Sequence, residues 1–539
     1  MTVRNMAPEV VGPTNIAELC NVRWRGRAVA TLDQAVGSCR IACRPQDLPA
    51  LVRWLTEEVG YAFATLIVEE TSKMAWCLTY IFYKEADAPW ACLELQVDER
   101  AGSVPSIVGL AIGPSVDWHE REAEDLFGLK FEGHPRLGEF VLHEDWPEGV
   151  NPMRRSFDER QRLKLREPEP EWRPPTIVVG PGSFAMPVGP VFSDFAEAAH
   201  FLLETVGEDV IHTIPRFFYK YRGVEKIAEG QSVDRVLLLA ERFSGTAAFA
   251  HGLGFCLAIE AIRGIAVPAR AKALRTVLAE LERLRHHAAT IAGICNSTAL
   301  AVATSQAALI EEDVLRLTCE VARHRYLFGA VVSGGLAWDL TEGQCNRLGA
   351  AVVDIAERLD HLHRMLRYSS SFLDRLEEVG LISTEVAVSY GLVGPIARAS
   401  GLTCDMRKLL PYAGYDAADF LVPVEREGDG YARLRIFFRE AEQSASIIRQ
   451  VLATLPAGDI RADAADPRAG AALAAVEAPS GAAFHWVRLR QDGTVARYRV
   501  TPPAFTNWHG FHLAAENFAF QDFPIILASF GLSNAECDR

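Results

Sequence analysis

The chain has 539 residues, 49% hydrophobic and 23% charged, and its 55 Lys+Arg against 70 Asp+Glu leave a net charge of −15. That length exceeds what one hydrophobic core organises, so two or three packed domains are expected, and the acidic balance excludes nucleic acid or an anionic membrane surface as the main partner. No apolar run reaches the roughly 18–20 residues of a bilayer span; the nearest, 327–338, contains three glycines and a serine.

From the amino terminus, residues 1–9 carry one Arg and no apolar segment, so neither a secretory signal nor a transit peptide is expected and the chain is placed in the cytoplasm. The eleven cysteines are scattered without a CxxC pair, a pattern of reduced thiols that does not build a zinc or iron–sulfur site within the chain. Residues 39–110 alternate in strand fashion around a helix-like stretch at 46–58, which predicts a small α+β domain over 1–157. A charged, proline-rich stretch at 158–175, with Pro168, Pro170, Pro174 and Pro175, is read as a linker.

Residues 176–539 change to long helical periods. After Pro268 at a first helical position, Leu274, Val277, Leu278, Leu281 and Leu284 share one face, with Arg275, Glu282 and Arg283 off it. Similar periods run through 233–262, 307–328, 345–368 and 433–455. The low-complexity segment 456–475 is expected to be an exposed loop, and 483–490 with 495–500 reads as a β-hairpin. The fold class is therefore α+β, a small α+β domain followed by a mainly helical domain with small β elements.

The segment Trp118-His-Glu-Arg-Glu-Ala-Glu-Asp-Leu-Phe-Gly-Leu-Lys-Phe-Glu-Gly-His-Pro135, continued by 146–154, resembles the signature of the C subunit of respiratory complex I. The resemblance implies that Glu120, Arg121, Glu122, Asp125, Phe127, Gly128, His134 and Pro135 dock neighbouring subunits and perform no acid–base chemistry. The rest resembles the D subunit of complex I and the large subunits of membrane-bound group 4 nickel–iron hydrogenases such as formate hydrogenlyase. The matching runs are Arg222-Gly-Val-Glu-Lys226, Glu280-Leu-Glu-Arg-Leu-Arg-His-His287, Gly394-Pro-Ile-Ala-Arg-Ala-Ser-Gly401, Asp405-Met-Arg-Lys-Leu-Leu-Pro-Tyr412, Glu477-Ala-Pro479 and Asp522-Phe-Pro524 with Ala528-Ser529.

The departures bear on function. A nickel–iron site takes four soft thiolates, which the family supplies as two CxxC pairs. Here Ser244 and Ala247 stand at the first pair and Ser533 and Glu536 at the second; Cys537, one register away, restores one thiolate at most. No metal is expected. The histidine-rich loop of the quinone-reducing relatives reads Gly180-Pro-Gly-Ser-Phe-Ala-Met-Pro-Val-Gly189, and Gly245 stands at their tyrosine, so both proton donors of that site are missing.

The resemblance further implies that Arg222 and Glu225 lie between the former metal cavity and the terminal cluster of a partner, where they relay electrons or protons, and that His251, Arg398, Asp405 and Arg407 line the cavity. It implies a scaffold subunit, without hydrogenase activity, in a complex coupled to ion translocation. The expected partners are an iron–sulfur small subunit of the complex I B type, a ferredoxin-like iron–sulfur subunit and antiporter-like membrane subunits, on the cytoplasmic face of the inner membrane. No cofactor is expected on this chain, and the iron–sulfur cluster is expected in the small subunit. The alternatives are an active NAD(P)H/quinone-type oxidoreductase subunit with a remodelled cavity, and a purely structural assembly subunit.

Overall fold

The computed structural model describes residues 16–33, 37–71, 75–85, 88–98, 103–158, 160–167, 176–178, 180–191, 197–463 and 466–539. Helix α1 (Ile16–Arg23) precedes β1 (Ala28–Asp33), β2 (Ser38–Cys43), β3 (Ala62–Glu70), β4 (Ala75–Tyr83) and β5 (Trp90–Asp98), which make one sheet in the order β1-β2-β5-β4-β3. Pairing is antiparallel except between β2 and β5. The helix expected at 46–58 is present as Leu48–Arg53 with a continuing turn Trp54–Val59.

Every residue of β4 after Ala75 is buried, because both faces of the sheet are covered. The two-residue period of the strands divides the work. Leu66, Val68, Leu78, Tyr80 and Phe82 belong to a core shared with helix α2 (Gly113–Phe127) and with residues far along the chain such as Phe505 and Trp508. Ile67, Ile81 and Tyr83 face the other way, onto Phe484 and Trp486. The amino-terminal sheet is thus held between later elements of the same chain.

Strands β6 (Ser183–Val188), β7 (His200–Val206) and β8 (Asp209–Arg216) form an antiparallel sheet edged by the two-residue strand Phe518–Ala519. The helical unit follows: α3 (Val224–Ala228), α4 (Val233–Arg242), α5 (Ala248–Arg263), α6 (Ala269–Ser297), α7 (Ala301–Ala322), α8 (Glu342–Leu366), α9 (Gly394–Ala399) and α10 (Gly430–Ala453). Then come β9 (Gly470–Ala478), β10 (Gly481–Leu489) and β11 (Val495–Thr501) in one sheet, and α11 (Pro503–Ala514), α12 (Phe523–Phe530) and α13 (Asn534–Asp538). Helix α6, 29 residues long, lies at the centre against α7, α10 and α12.

Three expectations change. The single period over 233–262 is two helices, α4 and α5, parted at residues 243–247. Arg275, Glu282 and Arg283, placed off the apolar face of α6, are all buried, because neighbours cover the whole circumference of that helix. The segment 456–475 is not all exposed loop: from Gly470 it enters β9, whose small Ala472, Ala474 and Ala475 are buried and let the strand lie close to α5. The expected hairpin of 483–490 with 495–500 is present as β10 and β11, and β9 adds a third strand to its sheet. In the proposed linker, Glu159 and residues 168–175, its four prolines included, lie outside the described residues.

Candidate functional site

Two chain breaks meet at the centre of the helical unit. At the first, α4 stops at Arg242 and α5 restarts at Ala248, its N-terminus capped by Glu282 of α6, whose carboxylate accepts from Phe249 N at 2.7 Å and Ala250 N at 2.9 Å. Burial pushes Glu282 up to about 7. At the second, α12 ends at Gly531, which takes the left-handed conformation (φ 59°). Ser533 then caps α13 by accepting from Glu536 N at 3.1 Å. Glu197 accepts from Ser533 Oγ at 2.8 Å, from Ala535 N at 3.0 Å and from Asn534 N.

One guanidinium nitrogen joins the two breaks. Arg222 Nη2 donates to Phe243 O at 2.8 Å and to Ala535 O at 2.7 Å, so the segments carrying Ser244 and Ser533 adjoin, as the resemblance requires. The donors there do not fit a nickel–iron centre. Ser244 Oγ is buried and bonded to Thr246 Oγ1 at 3.0 Å, Ala247 has no donor, Ser533 Oγ is spent on Glu197, and Glu536 is bonded to His251. Cys537 is buried, and burial first, then Asp538, pushes its thiol well up and away from the thiolate. Among the described residues no group of three or more His, Cys, Asp or Glu is placed to hold a metal ion.

A run of hydrogen bonds leads inward from Glu536. His251 Nε2 lies 2.8 Å from Glu536 Oε1, His251 Nδ1 lies 3.2 Å from His485 Nε2, and His485 Nδ1 lies 2.9 Å from the Tyr498 hydroxyl. All four residues are fully enclosed. Burial and the neighbouring Glu197 raise Glu536 to about 8, whereas burial lowers His251 to about 3, so at neutral pH the acid is protonated and the imidazole uncharged. Gly254 makes the packing possible: a Cβ there would sit 2.5 Å from His485 Cδ2.

Arg222 and Glu225 do not pair with each other. Arg222 is exposed and bound to the two carbonyls, while Glu225 is buried between Arg497 at 2.9 Å, Arg499 at 3.3 Å and Arg539 at 3.4 Å. Burial raises the Glu225 carboxyl, but Arg499, Arg497 and Arg539 outweigh it and hold the group below its ordinary value. Glu122, from the signature helix α2, shares two of these arginines, bonding Arg499 at 2.6 Å and also Arg539.

Most of the signature motif is thereby spent inside the chain. Glu120 is buried and accepts from Ser106 Oγ at 2.5 Å and Ile107 N at 3.1 Å; burial carries it up to about 7. Asp125 caps the following loop at Val141 N and Leu142 N, 2.8 and 2.7 Å away. Arg121 stacks on Phe140, Phe127 meets Trp76 edge-on, and the His134 imidazole lies 3.5 Å from Asp117. Gly128 closes α2 at φ 77°, where a Cβ would meet Asn151 Oδ1 at 2.5 Å. Pro135 alone of the eight is exposed without such a role.

Arg398, Asp405 and Arg407 form a closed cluster of their own. Arg398 bonds Glu440 at 2.6 Å and Glu477 at 2.8 Å, and Arg407 bonds Asp405 at 2.7 Å and Glu280 at 3.0 Å. Arg283 lies 3.5 Å from Glu280, and His287 Nε2 lies 3.0 Å from Glu440. Sequence reading gave no site role to Glu197, Glu282, Glu440, His485 or Tyr498. One signal was visible: Glu280 to His287 puts six ionisable residues into two helical turns, too many for the solvent side of a helix that also carries a leucine stripe.

Comparison with known proteins fits this geometry. The family described as respiratory-chain NADH dehydrogenase, 30 Kd subunit, matches residues 41–162. The family described as the 49 Kd subunit matches 304–469 and 463–539. The NADH-quinone oxidoreductase C/D subunit of Bdellovibrio bacteriovorus is 29% identical, over 94% of this chain and 96% of its own. Formate hydrogenlyase subunit 5 of Escherichia coli is 26% identical, over 99% of this chain and 94% of its own. A chain in the structure of the membrane-bound sulfane sulfur reductase, an archaeal respiratory membrane complex, superposes with a TM-score of 0.64 and 25% identity, covering 67% of this chain and all of that one. The chain is a fusion of the 30 kDa and 49 kDa subunit types of the complex I family.

Proposed function

We propose that this chain is the hydrogenase-like subunit of a membrane-associated, complex I-related oxidoreductase, scaffolding electron transfer beside an iron–sulfur small subunit without turning over hydrogen itself. The observation that carries the reading is the donor set of the two breaks: no thiolate among Ser244, Ala247, Ser533 and Glu536, each side chain that has an oxygen already bonded within the protein, and an exposed Arg222 fastening both segments from outside. Helices α3 and α4 flank that arginine and expose Ile227 and Leu238, each 49% accessible, an apolar margin suited to a partner surface. Among the described residues no helix is long and apolar enough to cross a membrane, so attachment is assigned to partners: the small subunit, a ferredoxin-like iron–sulfur subunit and antiporter-like membrane subunits. The likeness to a chain of a membrane-bound respiratory complex supports peripheral attachment, and the cytoplasmic face of the inner membrane is the side we assign.

The test is affinity purification from detergent-solubilised membranes followed by redox titration of the small subunit's nearest cluster. Arg222→Ala is expected to lower that midpoint potential, since removing a nearby positive charge disfavours the reduced state. A chain recovered free of any iron–sulfur or membrane component would refute the scaffold role.

A further inference from the structure

The run from Glu536 to Tyr498 has features that a merely packed polar core does not need. It is linear from one side chain to the next, and it crosses from helix α13 through α5 to two strands. Both imidazoles use both ring nitrogens within it, so the tautomer of one dictates that of the other. The second carboxyl oxygen of Glu536 accepts no well-formed hydrogen bond, and only the neutral Ser480 hydroxyl and Ala504 backbone stand near the carboxyl group, an arrangement that suits a carboxylic acid better than a carboxylate.

We propose that Glu536, His251, His485 and Tyr498 form a proton-loading relay at the position of the lost thiolates. In the loaded state Glu536 donates its O–H to His251 Nε2, His251 donates Nδ1–H to His485 Nε2, and His485 donates Nδ1–H to the Tyr498 oxygen. In the unloaded state the Glu536 carboxylate accepts from His251 Nε2–H, His485 donates Nε2–H to His251 Nδ1, and Tyr498 donates its O–H to His485 Nδ1. The two states differ by one proton; only O–H and N–H bonds are exchanged and no electron moves. Every proton shifts one place between the two states: a proton arriving at the Tyr498 oxygen sends the Tyr498 O–H proton to His485 Nδ1, the His485 Nε2–H proton to His251 Nδ1 and the His251 Nε2–H proton to Glu536, and unloading reverses each transfer.

The surroundings favour this assignment. Glu536 faces His251 from α5, Glu197 from ahead of β7, the Ser480 hydroxyl and the Ala504 backbone, with Cys537 and Asp538 following on its own helix. Among the described residues no arginine is bonded to it, so no counter-charge fixes it as an anion; the Ser480 hydroxyl and the Ala504 backbone, which favour the anion, are neutral and are outweighed by burial. At the far end Tyr498 packs on Phe255 and is influenced by Glu225, Arg539 and Cys256. The inference concerns this chain alone and stands whichever partner the Arg222 face takes.

Infrared difference spectroscopy of the full-length chain, titrated from about pH 6 to about pH 9 with isotope-labelled histidine, reads both ends at once. The expected result is a protonated-carboxyl band that disappears as pH rises and is missing in Glu536→Gln, together with a histidine tautomer change at the same midpoint. Tyr498→Phe, which removes only the hydroxyl, is expected to move that shared midpoint. If Glu536→Gln does not fold, the coincidence of the two midpoints in the unaltered chain decides alone. No carboxyl band at the acid end, or a band that titrates while the histidine bands stay fixed, overturns the proposal.

Discussion

Glu440 and Glu536 are both completely buried and both bonded to a histidine, at 3.0 and 2.8 Å, yet they hold opposite charge states. Glu440 sits in the Arg398 cluster, where burial would raise it but Arg398 and His287 hold it well below the ordinary carboxylate range. Among the described residues Glu536 has no Lys or Arg at bonding distance, and burial with Glu197 beside it raises it to about 8. Burial alone therefore does not decide what a core glutamate does; the presence of an arginine does. The first region is an ion-paired lock, and the second is a neutral, hydrogen-bonded site in which a proton takes the place of a counter-ion.

The sharpest way to break this contrast is to remove the arginine. Arg398→Met should leave Glu440 and Glu477 without their main cation and cost about 3–5 kcal/mol, the range for a buried charge stripped of its partner. Calorimetric unfolding is the check, and a loss below about 1 kcal/mol would mean that the cluster is not locked by charge.

A second prediction uses pH. Glu536 keeps its proton in the folded chain above the ordinary glutamate value of 4.5, so between that value and about 8 the folded state binds more protons than the unfolded one. Its contribution to stability is present at low pH and lost as pH rises, by at most about 1.4 kcal/mol per unit. Glu536→Gln should therefore become progressively more stable relative to the parent from pH 5 to pH 8. For Glu440 the sign reverses: its folded value is depressed, so its contribution is present above the unfolded value and lost as pH falls through the folded one. Parallel pH-dependent melting of the parent and of Glu440→Gln reads that half, and matching slopes at the two glutamates would erase the distinction.

Two smaller effects concern the framework. Gly128→Ala, forced to φ 77° with a Cβ 2.5 Å from Asn151 Oδ1, should cost about 1–3 kcal/mol by the combined strain and clash. Arg222→Ala removes two hydrogen bonds from an exposed guanidinium and should cost only about 1 kcal/mol in thermal unfolding. A large loss there would make Arg222 a core fastener and weaken its assignment to the partner surface.

How far the sequence reached differs between these regions. Alternation in 91–97 announced β5 and the heptad-like leucines announced α6, because burial on one face of a regular element leaves a period in the chain; β4, read as a strand with it, is buried on both faces and shows a nearly continuous apolar run instead. The return of the carboxyl end to the 244–247 break followed from the resemblance, through matched spacing at Ser244, Ala247, Ser533 and Glu536. The break itself was hidden, since residues 243–247 interrupt apolar periods on both sides without a proline. The relay was also hidden: His485 and Tyr498 lie 234 and 13 residues from their bonded neighbours along the chain, and only the diagonal pairing of β10 with β11 makes them adjacent. Charge state was the least legible property, because it depends on which arginines other elements bring to a carboxylate.

The central claim is that these remodelled breaks do not build a nickel–iron centre. Metal analysis of the intact complex purified from membranes tests it most directly. Iron in proportion to the partner's clusters, with no stoichiometric nickel and no hydrogen uptake or evolution, is the predicted result; one nickel per copy of this chain would contradict it.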